Sequence, residues 1–239
     1  MQSKMLPKFE QFIREKQYVT NVTPSTLTWY RQALRWFPCE HPAQPELLDM
    51  VVKMREKGLK ATAVNSYITC FNSYLHWDSG TERSCGAGCT HPHLKRLKAP
   101  QEVMPTFTEA QVKLLVRWKP KDKYDRRVHT LILTLLDTGC RVTEALTLCV
   151  DGIDMDNLLM RLDGKGRKQR LVPFSVDLRR ALYRQIKENK LEPYDRVFGT
   201  RKGTEWDRHN AIDWVKGICR ELGFEPPART LHAFGTPSP

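Results

Sequence analysis

The sequence predicts a mainly α protein with one small β-sheet, arranged in two parts. Apolar residues recur at three- and four-residue spacing through most of the chain, and β-prone runs face each other across Asp163-Gly164. Between Asp78 and Thr106 the periodicity lapses and Gly, Pro, Ser and Lys take over, as in a linker. A chain of 239 residues has room for two small domains with a core each, and the expected division is 1–79, a linker 80–105, and 106–239.

In the first part, Met5, Phe9, Phe12 and Ile13 share one side of a short amphipathic helix with Lys8, Arg14 and Lys16 opposite. Thr23-Pro24-Ser25 opens the next helix, whose inward stripe is Leu27, Tyr30, Leu34 and Phe37, up to Pro38. Pro45 precedes a third with Leu47, Leu48, Val51 and Met54 inward, closed by Lys57-Gly58. A fourth runs from about Ala61 to Trp77 on Val64, Ile68, Phe71 and Leu75. Lys53, Arg55, Lys57 and Lys60 gather around the end of the third helix, a candidate DNA-binding set on a basic four-helix bundle.

In the linker, Cys85, Cys89, His91 and His93 place four possible zinc ligands in nine residues. Their spacing departs from the usual CxxC and HxxxH pairs and would need a very tight loop, so the expectation is a loop with incidental thiols and no metal. His91 and His93 could equally meet phosphate.

In the second part, Thr108 followed by Glu109 and Gln111 reads as a helix cap, with Val112, Leu115 and Val116 inward. The apolar run Leu131 to Leu136 stops at Gly139, a residue suited to the left-handed conformation that ends helices, and another helix starts near Arg141. Arg141 and Glu144 are three apart, so the carboxylate can orient the guanidinium. After the turn Asp151-Gly152-Ile153-Asp154, Leu158 to Leu162 and Arg170 to Pro173 form a hairpin that lifts Lys165, with Arg167 and Lys168, on its tip. Leu178, Ala181, Leu182 and Ile186 give a further helix, Val197 to Thr200 a breaker segment, and Ala211, Val215, Ile218 and Leu222 a last helix ending near Gly223.

A fixed guanidinium and a mobile ammonium suit a phosphate that must be gripped and then attacked, since arginine offers a planar fork and lysine a point charge able to deliver a proton. Alone, either residue is ordinary: most arginines at helix starts are surface residues, and GKG lacks the strand-to-helix setting of a nucleotide phosphate loop. Together and in order, Thr138-Gly139-Cys140-Arg141-Val142-Thr143-Glu144 and Gly164-Lys165-Gly166-Arg167-Lys168-Gln169-Arg170-Leu171-Val172-Pro173 resemble the TGxRxxE and GKGxKxRxVP motifs of the tyrosine recombinases, the phage-integrase type. The resemblance implies a SAM-like core-binding domain followed by an α+β catalytic domain. It also implies double-stranded DNA as partner, an oligomer on DNA, and neither metal nor nucleotide cofactor.

In that family a tyrosine hydroxyl attacks a DNA phosphodiester, giving a 3′-phosphotyrosyl intermediate and a free 5′-hydroxyl. Carried over, Arg141 would grip the phosphate with Glu144 orienting it, Lys165 would protonate the leaving oxygen, and His232 would assist proton transfer. The family's second arginine lies in an HxLRH or HxFRH motif with the nucleophilic tyrosine beyond it. Here His232 matches the first histidine, but Gly235 stands at the arginine position and Gly235-Thr236-Pro237-Ser238-Pro239 follows. Coding DNA reading CGG CAC ACC TTC GCC, for Arg-His-Thr-Phe-Ala, becomes GGC ACA CCT TCG CC on loss of its first base, which encodes Gly-Thr-Pro-Ser and then Pro. The expectation is therefore a truncated or frameshifted recombinase that no longer cleaves, with Tyr124, Tyr183 and Tyr194 not in the nucleophile's place.

The formal charge of +12 argues for a polyanionic partner. Residues 1–100 hold 14 Lys and Arg against 8 Asp and Glu, and residues 101–239 hold 25 against 19, so the surplus is spread over both parts. Seven cysteines scattered through the chain do not form a secretory disulfide framework, and a cytoplasmic, nucleoid-associated location is expected. Neither a signal peptide nor a membrane-spanning apolar run is expected. The alternative function is a binding module that occupies recombination sites or inhibits full-length recombinase. A metal-dependent nuclease is disfavoured for want of a carboxylate cluster.

Overall fold

Proline opens each of the first three helices, α1 (Pro7–Tyr18), α2 (Pro24–Leu34) and α3 (Gln44–Glu56, with Pro45 in its first turn). Its fixed φ suits a first turn whose N–H would lack a helical partner anyway. α4 (Ala61–Asp78) completes the set. The computed structural model describes residues 6–80, 91–100, 105–164, 169–200 and 202–227, and the chain divides into two units, Met1–Gln101 and Glu102–Pro239.

The first unit closes on an aromatic cluster. Tyr74 of α4 is fully buried and meets Phe9 and Phe12 of α1 edge-on at 4.9 and 5.4 Å, the arrangement the ring quadrupoles favour. Its hydroxyl donates to the Glu40 carbonyl at 2.8 Å, so the only polar atom of the ring is satisfied. The stripe on α3 is Leu47, Met50, Val51 and Met54. Leu48, expected inward, is 54% exposed, because it lies a quarter-turn off that stripe, and Val52 one turn on is out with it. Met5, placed on the inward face of the first helix, lies outside the described residues.

Part of the stretch read as a linker packs on this first unit. Leu94 is buried in its core. The Asn72 side chain donates to the Leu94 carbonyl and accepts from its N–H, both at 2.9 Å, and Asn65 does the same for Leu97 at 2.9 and 2.7 Å. The spacing explains the pairing: seven residues along α4 rise about 10.5 Å, and three residues of extended chain cover about 10 Å.

In the second unit, Thr108 and Gln111 exchange side-chain and backbone bonds to cap α5 (Glu109–Arg117). Leu115 is buried, whereas Val116, expected inward, is exposed. α6 (Lys123–Thr138) begins at Asp122, whose carboxylate accepts from the N–H groups of Tyr124 and Asp125, and ends at Gly139 with φ 59°. α7 (Val142–Thr147) and a 3-10 turn lead into β1 (Ile153–Asp154), β2 (Leu159–Asp163) and β3 (Gln169–Pro173). The sheet is antiparallel in the order β1-β2-β3, with Leu159 opposite Pro173 and Asp163 opposite Gln169, so the hairpin gains a third, short strand from the turn before it.

α8 (Val176–Asn189) and α9 (Arg208–Glu221) cover the remaining core. The segment Val197 to Thr200, read as a breaker, puts Val197 and Phe198 into that core, and the Val197 N–H donates to the Leu148 carbonyl at 2.9 Å. The whole is mostly helical with a small sheet, as the periodicities predict. Among the described residues, no helix is long and apolar enough to cross a membrane.

Candidate phosphate-binding site

The site is built where α6 stops. Gly139 turns the chain in the left-handed region, Cys140 is buried as the anchor, and Arg141 then takes an extended conformation as the N-cap of α7. Arg141 thus precedes the helix. Its side chain leaves the core, 64% exposed, while Glu144 at the third helical position points inward with only 3% of its side chain exposed. One carboxylate oxygen of Glu144 accepts the Arg141 backbone N–H at 2.8 Å and the other accepts Arg141 Nη1 at 2.9 Å. The first bond satisfies a helix-terminal donor and the second aims the guanidinium.

A second arginine reaches the same carboxylate. Arg170 lies on β3, where side chains alternate, and it shares the half-buried face with Val172. Its Nη1 and Nη2 donate to the two Glu144 oxygens at 2.9 and 2.8 Å, the bidentate geometry that makes arginine–carboxylate pairs strong. Burial pushes the Glu144 carboxyl up, but the bonds from Arg170, from the Arg141 backbone and from the Arg141 side chain pull harder, and the net is below the ordinary carboxylate value. The Glu144 bond in turn raises Arg170.

Sequence reasoning assigned Arg170 no role, although it stands within the second motif. The available signal was the alternation of β3: a charged residue in register with inward Val172 needs an acid beneath it. Lys165, Arg167, Lys168 and His232 lie outside the described residues, as does the tail from Gly235. The described hairpin reaches the Asp163–Gln169 pair, where Gln169 Nε2 donates to Asp163 Oδ1 at 2.9 Å, and Lys165 follows Asp163 by two residues.

The four cations proposed for the first unit divide. Lys53 is paired with Asp49 one turn away at 2.6 Å, which raises its pKa, and Arg55 Nη1 donates to the Leu59 carbonyl. Lys57 lies over the Trp36 ring at 5.1 Å, on an open cleft of about 430 Å³ lined with Gln32, Arg35, Trp36 and Tyr67. Lys60 is the N-cap residue of α4. The cleft residues were not marked from the sequence, because helices α2 to α4 bring them together only in the fold.

Among the described residues, no group of three or more His, Cys, Asp and Glu side chains is placed to hold a metal ion. Cys85 and Cys89 lie outside them. His91 meets the His76 ring edge-on at 4.6 Å, and the His93 backbone exchanges two bonds with the Gln44 side chain.

Known proteins are similar to this chain in sequence and in fold. Tyrosine recombinase XerA of Pyrococcus furiosus is 25% identical over 243 residues, 99% of this chain and 80% of the relative. XerD of Vibrio vulnificus is 25% identical over 255 residues, covering 95% and 80%. The Tn1549 transposon integrase, solved in complex with transposon right-end DNA, superposes with a TM-score of 0.72 at 17% identity, over 96% of this chain and 84% of that one. XerH recombinase bound to difH substrate in a pre-cleavage complex gives 0.66 at 15% identity, over 95% and 71%. Residues 105–235 match the phage integrase family, and the chain belongs to that family, the tyrosine recombinases of DNA recombination.

Proposed function

We propose that the chain binds duplex DNA at recombination sites and that the exposed fork of Arg141 grips a backbone phosphate there. The observation that carries this reading is the Arg141–Glu144–Arg170 cluster, in which a buried carboxylate fixes an arginine at a helix start with its outer N–H groups turned to solvent. The net charge of +12 and the DNA-bound state of the Tn1549 integrase and XerH structures support it.

In a protein that carries the family's full set of residues, the tyrosine oxygen would bond to phosphorus as the bond from phosphorus to the 5′-oxygen breaks. Lys165 would give the leaving oxygen its proton, Arg141 would hold the non-bridging oxygens as their charge grows, and His232 would assist proton transfer. Rejoining reverses the step. Residues 1–239 hold Gly235 where the motif has arginine and no tyrosine beyond Tyr194. Tyr124 sits at the far end of α6 from Arg141, about 20 Å away at 1.5 Å per residue. One lost charge donor slows such a reaction by about 10²–10³-fold, whereas a lost nucleophile removes the pathway. A polypeptide of these residues therefore binds without cutting.

Fluorescence anisotropy with a labelled duplex and a nicked suicide substrate run on a denaturing gel test both halves. Affinity should fall at least about tenfold between 50 and 200 mM salt, as even two or three phosphate contacts require. No covalent adduct should form. Salt-independent binding would sink the phosphate reading, and an adduct on a duplex carrying the site would sink the claim that the polypeptide cannot cut.

A further inference from the structure

Glu144 has two carboxylate oxygens and about four lone-pair positions, and four N–H donors fill them: the Arg141 backbone, Arg141 Nη1, Arg170 Nη1 and Arg170 Nη2. Two guanidiniums share one carboxylate, so the cluster carries one net positive charge. The two arginines are not equivalent. Arg170 spends both terminal nitrogens on Glu144 from the half-buried face of β3, whereas Arg141 commits one and is the more exposed, 64% against 40% of the side chain.

We propose that Arg170 is a positioning residue, which neutralises the buried Glu144 so that the cluster's surplus charge stays on the exposed fork of Arg141 for a DNA phosphate. This rests on the reading of Arg141 as the phosphate grip. Without Arg170, Arg141 and Glu144 form a neutral pair. The phosphate would then have to compete with a buried carboxylate whose remaining partners are few, and breaking such a pair is costly. With Arg170 in place, Arg141 can shift toward the phosphate while Glu144 keeps a bidentate partner.

The test is a cycle of substitutions read by the slope of log affinity against log salt on a labelled duplex. R141A should reduce the slope by about one, the value of one phosphate contact. R170M should reduce it equally, and adding R141A to R170M should change nothing further. E144Q/R170M removes the carboxylate with its partner and should restore the wild-type slope. A slope that stays low in E144Q/R170M would mean that Arg170 touches phosphate itself, and a further loss on adding R141A to R170M would mean that Arg141 never depended on it. Either result overturns the proposal.

A second readout needs no DNA: phenylglyoxal labelling of Arg141 in the free protein, followed by peptide mass spectrometry. Labelling should slow in R170M and recover in E144Q/R170M. Unchanged labelling in R170M overturns the positioning role even if DNA binds. Absence of duplex binding by the wild type, with labelling as expected, overturns the DNA reading alone. Should R170M fail to fold, E144Q/R170M decides, since it leaves no buried charge and its slope separates the two roles of Arg170.

Discussion

Among the described residues, Glu144 is the only charged side chain that is buried. Its folded pKa lies below the ordinary carboxylate value, so the sign of its linkage to folding is fixed. The stabilisation is fully present above the unfolded value of about 4.3, and it is lost as pH falls from there through the lower folded value. Stability measured by denaturant melts at successive pH values should therefore drop less steeply in E144Q than in the wild type below about pH 4.3. Equal slopes would mean that the two arginines do not hold the carboxylate charged. The Arg141–Glu144 pair was legible because three-residue spacing makes it local. Arg170 is 26 residues from Glu144, and only the hairpin register brings it there.

At the level of elements, the docking of residues 91–97 on α4 depends on side-chain amides that imitate the edge of a sheet. Asn72 supplies both a donor and an acceptor to Leu94, and no apolar residue can replace that pair. N72A should leave the backbone groups of Leu94 without their partner, at about 1–2 kcal/mol locally. Hydrogen exchange at the Leu94 amide should rise at least about fivefold, with α1 to α3 unaffected. Unchanged protection would show that Leu94 burial alone seats the segment. This contact was illegible because a lone Asn–backbone pair has no period, whereas the apolar stripes of α2 and α4 declared themselves. α3 shows the limit of pattern reading: Leu47 and Leu48 are equally apolar, and only neighbouring elements decide which one is covered.

Over the whole molecule, the two cores draw on separate stretches of chain. The first runs from Phe9 to Leu94 and the second from Phe107 to Cys219. Each unit therefore holds the apolar surface it needs, and a fragment of residues 1–101 should fold alone, with a helical circular-dichroism spectrum and a cooperative thermal transition. A non-cooperative melt would show that the first core requires the second unit. By itself the sequence determined the order of the helices, the β2–β3 hairpin, the basic character and the motif around Arg141. All of these follow from local periodicity, capping and turn chemistry, which act over a few residues. Only the tertiary structure decided that Glu144 serves two arginines, that part of the apparent linker belongs to the first unit, and that Lys57 sits with Gln32, Arg35 and Tyr67. Those pairings join residues far apart in the chain, and their energy exists only once the intervening segments have packed.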